Sequence, residues 1–124
     1  GKEYPLSFNR KEEKDHGEGG NIIGKNPHGN VLIIDDVLSA GTAGRESIEA
    51  ILKLSATPHS FIVGLDRQEK GLSEISSSEE LEKEFNIKVE SIINLDSLID
   101  FVKDNGVYTD HLDQLNEYRE NWGA

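Results

Sequence analysis

Four consecutive aliphatic residues, Val31, Leu32, Ile33 and Ile34, stand out in a chain rich in polar positions. A half-exposed strand alternates apolar with polar residues, so this unbroken run predicts a strand buried on both faces, as in a parallel sheet. Phe61 to Leu65 is a second run of the same kind and leads into Asp66-Arg67-Gln68-Glu69. Lys88 to Leu95 predicts a third strand, whose partial alternation suits a sheet edge. Between the first two, Ile48, Ile51 and Leu52 fall at i, i+3 and i+4, which predicts an amphipathic helix from Arg45 to Ala56 with Thr42 as its N-cap. Ser76, Ser77 and Ser78 before Glu79-Glu80-Leu81 mark a second helix start, running to about Phe85. Asp96 or Ser97 caps a third helix to about Asp104, which Gly106 breaks. Residues 108 to 121 predict a last helix, with Tyr108, Leu112, Leu115, Tyr118 and Trp122 forming a stripe suited to core or interface packing. Strand and helix patterns that alternate in this way predict an α/β fold: a mainly parallel sheet flanked by helices and followed by a C-terminal helix.

Upstream of the first aliphatic run the pattern changes. Residues 4 to 9 form a short, moderately apolar stretch that predicts a strand. Arg10 to Gly20 contains no apolar residue and holds Arg10, Lys11, Lys14 and His16, followed by Gly17, Glu18, Gly19 and Gly20. Such a segment cannot pack as core. It reads either as a solvated surface loop or as a glycine-hinged lid over an anionic ligand. Residues 22 to 30 carry Gly24, Asn26, Pro27, Gly29 and Asn30, turn formers that return the chain to the aliphatic run. His28 lies in that turn without a second ligand nearby and is expected to face solvent.

Composition narrows the partners. The 124 residues suit one small domain, and 13 Lys and Arg against 24 Asp and Glu give a formal charge of −11. That balance opposes broad attraction to nucleic acid or to an anionic membrane, so a small-molecule partner is expected. A basic cluster at residues 10 to 16 is conspicuous against this background. With no cysteine, neither a disulfide framework nor a thiolate metal site is available. No apolar run approaches the length of a membrane span, and a cytoplasmic protein is expected.

The candidate chemistry lies directly after the first aliphatic run. Asp35 and Asp36 follow it, then Val37 and Leu38, and then the small residues Ser39, Ala40, Gly41, Thr42 and Ala43 lead into a helix. Backbone N–H groups in such a loop converge on the positive end of the helix, and Gly41 lacks the Cβ that would obstruct an anion. Carboxylates beside a phosphate require something between them. A ribose meets that need: its 2′ and 3′ hydroxyls donate to the acids and its 5′-phosphate sits in the loop, with a hydrated divalent cation nearby. Arg67, beyond the second strand, offers a planar fork for a carboxylate, or alternatively a salt bridge to Asp66 or Glu69.

The run VLIIDDVLSAGTA at 31 to 43 resembles the phosphoribosyl diphosphate (PRPP) signature of type I phosphoribosyltransferases. Together with FNRKEEKDHGEGG at 8 to 20 and GLDRQEKG at 64 to 71, it is similar to orotate phosphoribosyltransferase. The resemblance implies the type I phosphoribosyltransferase fold, with residues 1 to 124 as a partial core and a flexible catalytic loop at about 10 to 21. It implies transfer of phosphoribosyl from PRPP to orotate, with Mg²⁺ as cofactor. By the same resemblance Lys14, Arg10 and His16 are catalytic, and PRPP is bound by Arg10, Lys11, Lys14, His16 and residues Asp35 to Ala43. Orotate meets Ser39 and Arg67, and Asp35 and Asp36 serve the metal indirectly, through water or PRPP. A homodimer with sites shared between subunits is implied as well. The family more often has threonine at Ser39 and a larger aliphatic at Gly44. Because residue 1 is not Met and the family is longer, the chain is expected to be a C-terminal portion with little or no transfer activity alone. Two other readings are a PRPP-sensing regulator of the same fold and a receiver-like signalling domain. The second leaves the Ser-Ala-Gly-Thr loop unexplained.

Overall fold

The computed structural model describes residues 1–9 and 22–124. Its centre is a three-stranded parallel sheet in the order β3 (Asn30–Leu38), β4 (Thr57–Asp66), β5 (Lys88–Asn94). Helix α1 (Thr42–Lys53) connects β3 to β4, and α2 (Ser77–Phe85) connects β4 to β5. Parallel neighbours joined by right-handed crossovers place both helices on one face of the sheet. The packing agrees: Phe61 and Val63 of β4, Ile48 of α1 and Leu81 of α2 share one fully buried core with Leu38 and Ile87. Burying a side chain such as Phe61 contributes about 1.5–3 kcal/mol.

The opposite face departs from the expectation of a strand buried on both sides. Leu32 is 51% and Ile34 70% exposed, while Ile33 between them packs against the core. Ile92 of β5 is 83% exposed. An aliphatic run specifies a strand that suits two apolar environments, but side chains alternate between faces, and among the described residues only one face has helices stacked on it.

Two short strands, β1 (Ser7–Asn9) and β2 (Ile22–Gly24), pair antiparallel in a separate sheet, with Asn9 opposite Ile22. Residues 22 to 24, expected as part of a turn, are therefore strand. Gly24 is required there, because a Cβ would press on the Leu6 backbone carbonyl and φ is +102°. Next to this hairpin lies a groove of about 520 Å³, bounded by Leu6, Phe8, Ile22, Leu32, Ile34 and Ile51 among others. His28 is exposed, as expected.

Helix boundaries moved slightly from those expected. The N-cap of α1 is Gly41 rather than Thr42, and Leu52 of the expected stripe is 48% exposed while Ile48 and Ile51 are buried. Ser76 caps α2 by accepting from the Glu79 N–H at 3.3 Å. In α3 (Leu95–Asn105) the cap is Asn94, which accepts from the Ser97 N–H at 2.8 Å. Asp96 and Ser97 thus lie inside the first turn, because the Asn94 amide oxygen already satisfies the orphan N–H of Ser97. Gly106 ends α3 in the left-handed conformation. The last helical stretch is split into a 3₁₀ turn (Thr109–His111) and α4 (Leu112–Trp122). Its stripe is only partly covered: Leu112, Leu115 and Tyr118 are half-buried, whereas Tyr108 is 71% and Trp122 61% exposed. No helix among the described residues is long and apolar enough to cross a membrane.

Candidate active site

Loop Ser39–Gly41 leaves β3 at the edge where β4 also ends, since Leu38 pairs with Asp66. Gly41 adopts φ +79° and ψ −1°, is buried, and its carbonyl accepts the Arg45 N–H at 2.9 Å to open α1. No side chain among the described residues caps α1, and its first turn holds no acidic residue. Its leading N–H groups and positive end are therefore directed at whatever sits over the loop, an arrangement suited to an anion. A Cβ at Gly41 would stand 3.2 Å from Ser77 Cβ, so the loop rests on the first turn of α2. Gly44 has a packing reason of its own: a Cβ there would lie 3.1 Å from Leu81 Cδ1 and 3.6 Å from the Phe61 ring, so α1 and α2 approach closely at this point.

Asp35 and Asp36 lie within β3, not at its end, because the strand continues through Val37 to Leu38. Main-chain pairing is indifferent to side-chain charge, and each carboxylate accepts the next backbone N–H, Asp36 N to Asp35 Oδ1 at 2.9 Å and Val37 N to Asp36 Oδ1 at 2.7 Å. As neighbours in a strand they project to opposite faces, Asp35 half-buried and Asp36 exposed. No group of three or more His, Cys, Asp or Glu among the described residues is placed to hold a metal ion. The acidic pair therefore does not form a protein cage for Mg²⁺. Its remaining oxygens fit hydroxyls or water on an ion that a substrate carries, consistent with Mg²⁺ keeping several waters and substrate phosphates.

Arg67 follows the last residue of β4, and its N–H donates to the Leu38 carbonyl at 3.1 Å, which places it beside the start of the small-residue loop. Its side chain is 44% exposed and meets Glu69 Oε1 at 3.5 Å through Nη1, so the alternative of a salt bridge is realised with Glu69. The same Nη1 is 3.4 Å from the Tyr118 hydroxyl. Tyr118 was legible in the sequence only as packing, and nothing in its spacing marks it as a neighbour of Arg67.

The segment after Arg67 is held by an acid of its own. Glu80 accepts from the Ser73 hydroxyl, the Leu72 N–H at 2.8 Å and the Ser73 N–H at 2.6 Å, with Arg45 3.8 Å away. The Ser73 hydroxyl first, and then the Leu72 N–H, hold its carboxyl below the ordinary carboxylate range. The structure thus brings together the loop Ser39–Ala43 and Arg67, with the acidic pair on the strand leading into them. Arg10, Lys11, Lys14 and His16 lie outside the described residues.

No family model matches the chain. Among individual proteins, an orotate phosphoribosyltransferase of Marinobacter nauticus is 50% identical over 124 residues, all of this chain and 58% of its own length. The chain is similar over its whole length to this orotate phosphoribosyltransferase. Another, from Nitrosospira multiformis, is 46% identical over the whole chain and 54% of its own length. A crystal structure of orotate phosphoribosyltransferase from Francisella tularensis superposes with a TM-score of 0.71 at 34% identity, covering 97% of this chain and 56% of that one. The type I phosphoribosyltransferase architecture expected for the family is the one present, with its parallel sheet, flanking helices and C-terminal helix. The chain spans just over half the length of the relatives it matches.

Proposed function

We propose that the polypeptide carrying this chain is an orotate phosphoribosyltransferase. In this reading it transfers phosphoribosyl from PRPP to orotate, giving orotidine 5′-monophosphate and diphosphate, a step toward pyrimidine nucleotides. The observation that carries the proposal is the adjacency of Arg67 to the Ser39–Ala43 loop through the bond to Leu38. It sets a carboxylate-binding fork next to an anion-binding loop, which are the two ends of the ribose and base to be joined. The same reading makes residues 1 to 124 a phosphoribosyltransferase core, with the PRPP motif at 31–43 and a catalytic loop at 10–21.

In this proposal the 5′-phosphate lies against the N–H groups from Ser39 to Ala43, with Val37 and Leu38 leading in, and the ribose hydroxyls donate to Asp35 and Asp36. Bond breaking at the anomeric carbon develops positive charge on the sugar and negative charge on the departing diphosphate. Catalysis is then mainly orientation plus stabilisation of that leaving group. Lys14, with Arg10, Lys11 and His16, supplies the stabilising charge. Mg²⁺, when bound with PRPP, neutralises part of the diphosphate charge. Arg67 and Ser39 orient orotate through its carboxylate. A homodimer with shared sites, in the cytoplasm, completes the proposal.

The test is the fall in orotate absorbance with PRPP and Mg²⁺ for the complete polypeptide, compared with its Arg67→Ala and Asp35→Asn/Asp36→Asn forms. Turnover that depends on both sets of residues supports the proposal. Binding of PRPP without turnover would instead favour a regulator of the same fold.

A further inference from the structure

The C-terminal end of helix α4 is fastened to the segment that carries Arg67. The Lys70 N–H donates to the Trp122 carbonyl at 2.9 Å, and the Ala124 N–H donates to the Gln68 carbonyl at 3.0 Å. Gln68, whose φ is +53°, exchanges side-chain bonds with Asp96: the Asp96 N–H donates to its Oε1 at 2.8 Å, and its Nε2 donates to Asp96 Oδ2 at 3.3 Å. Arg119 of α4 in turn binds Asp96 at 2.9 Å. Tyr118 is therefore presented to Arg67 from a fixed helix rather than from a free side of the molecule.

Its hydroxyl donates to Glu69 Oε1, the same oxygen that approaches Arg67 Nη1. Glu69 is largely covered, with a side chain only 13% exposed. An anion in that position has two partners to choose from. Occupied by the phenol, it stays at the edge of bonding distance from the guanidinium; released from it, it would close on Arg67 and compete with any incoming carboxylate. Among the described residues only Nη1 of the guanidinium has a partner, so its other edge remains open.

We propose that Tyr118 is a positioning residue for Arg67, whose hydroxyl occupies Glu69 and keeps the guanidinium fork available to the carboxylate of the base. The proposal rests on the reading that Arg67 binds orotate. It makes the C-terminal helix part of the base site, although this residue is far from Arg67 in sequence.

The experiment is a calorimetric titration of the complete polypeptide with orotate in the presence of ribose 5-phosphate. It uses the wild type, Tyr118→Phe, Arg67→Ala and the double variant. Phenylalanine keeps the ring and removes only the hydroxyl. Tyr118→Phe is expected to weaken orotate about three- to tenfold, the scale of one ordinary hydrogen bond's net contribution, with unchanged ribose 5-phosphate affinity and melting temperature. In the Arg67→Ala background the same substitution is expected to do nothing, because the group it acts through is gone. If Arg67→Ala binds orotate as the wild type does, the base assignment itself fails and takes this proposal with it. If Arg67→Ala weakens orotate but Tyr118→Phe does not, the assignment stands and the positioning role is overturned. An equal loss from Tyr118→Phe in both backgrounds also overturns it, since Tyr118 would then act independently of Arg67.

Discussion

Gly41→Ala is the substitution that most directly couples the loop to the fold. Gly41 sits at φ +79°, where an L-residue with a Cβ costs about 1–2 kcal/mol relative to the right-handed region. The new methyl would also stand 3.2 Å from Ser77 Cβ and 3.6 Å from its Oγ. Ser77 cannot retreat easily: it is 1% exposed, and both its N–H, at 2.9 Å, and its hydroxyl, at 3.2 Å, are bound to the Glu69 carbonyl. Adding a modest overpacking cost, the expected loss is roughly 2–4 kcal/mol. A denaturant titration should show a lower midpoint with an unchanged slope, since the surface exposed on unfolding is the same. Under the proposed function, ribose 5-phosphate affinity should fall at least about tenfold, because the loop N–H groups that would meet the phosphate are displaced. Gly41→Asn separates the two causes. Asparagine tolerates the left-handed region better, so it should recover part of the stability while keeping the contact with Ser77. Wild-type midpoint and wild-type phosphate affinity in Gly41→Ala would refute the reasoning.

Four further outcomes are expected. Phe61→Ala should cost about 3–5 kcal/mol in chemical denaturation, since the ring is fully buried at the junction of β4, α1 and α2. Under the proposed function, Asp35→Asn and Asp36→Asn should each weaken PRPP use by about 1.5–3 kcal/mol, read as kcat/KM for PRPP, because each would lose a charged hydrogen bond to ribose. Under the proposed function, Lys14→Ala should lower turnover more than it weakens orotate binding, because its charge would act on the departing diphosphate, and steady-state kinetics separate the two. Glu80 should contribute to acid unfolding. Its folded pKa is held down by the Ser73 hydroxyl and the Leu72 N–H, so its stabilisation is complete above the ordinary carboxylate value of 4.5 and is lost as pH falls through the lower folded value. Melting curves from neutral pH to pH ~3 should therefore show a shallower acid decline for Glu80→Gln than for wild type.

Local patterns carried much of the fold. The aliphatic runs at 31–34 and 61–65 specified β3 and β4, and Ser76 with Glu79 specified the start of α2, because these signals depend on residues within one turn or one strand. The hairpin was less visible: Ile22 and Ile23 form too short an apolar pair to outweigh the glycines and asparagines after them. Whether the second face of β3 is covered depends on what packs there, which the strand's own residues do not encode. The small-residue loop was legible from Gly41 and its neighbours as the turn that opens α1. The bond from Arg67 to Leu38 follows from parallel register, and the contact of Tyr118 with Glu69 arises only when α4 folds back. Gly44 was silent in the sequence and acquires its reason from Leu81 on another helix.

The uncovered face of the sheet has a colloidal consequence. Among the described residues, Leu32, Ile34 and Ile92 are exposed together with edges of β3 and β5 that have no strand partner, the combination by which sheets join edge to edge. At neutral pH the formal charge of −11 makes such encounters repulsive. Near the sequence isoelectric point of about 4.7 that repulsion vanishes while the apolar surface remains. Turbidity of the isolated chain should therefore peak around that pH and rise steeply with concentration. Ile34→Thr, which interrupts the patch without touching the helix-covered core, should lower the peak without moving its position.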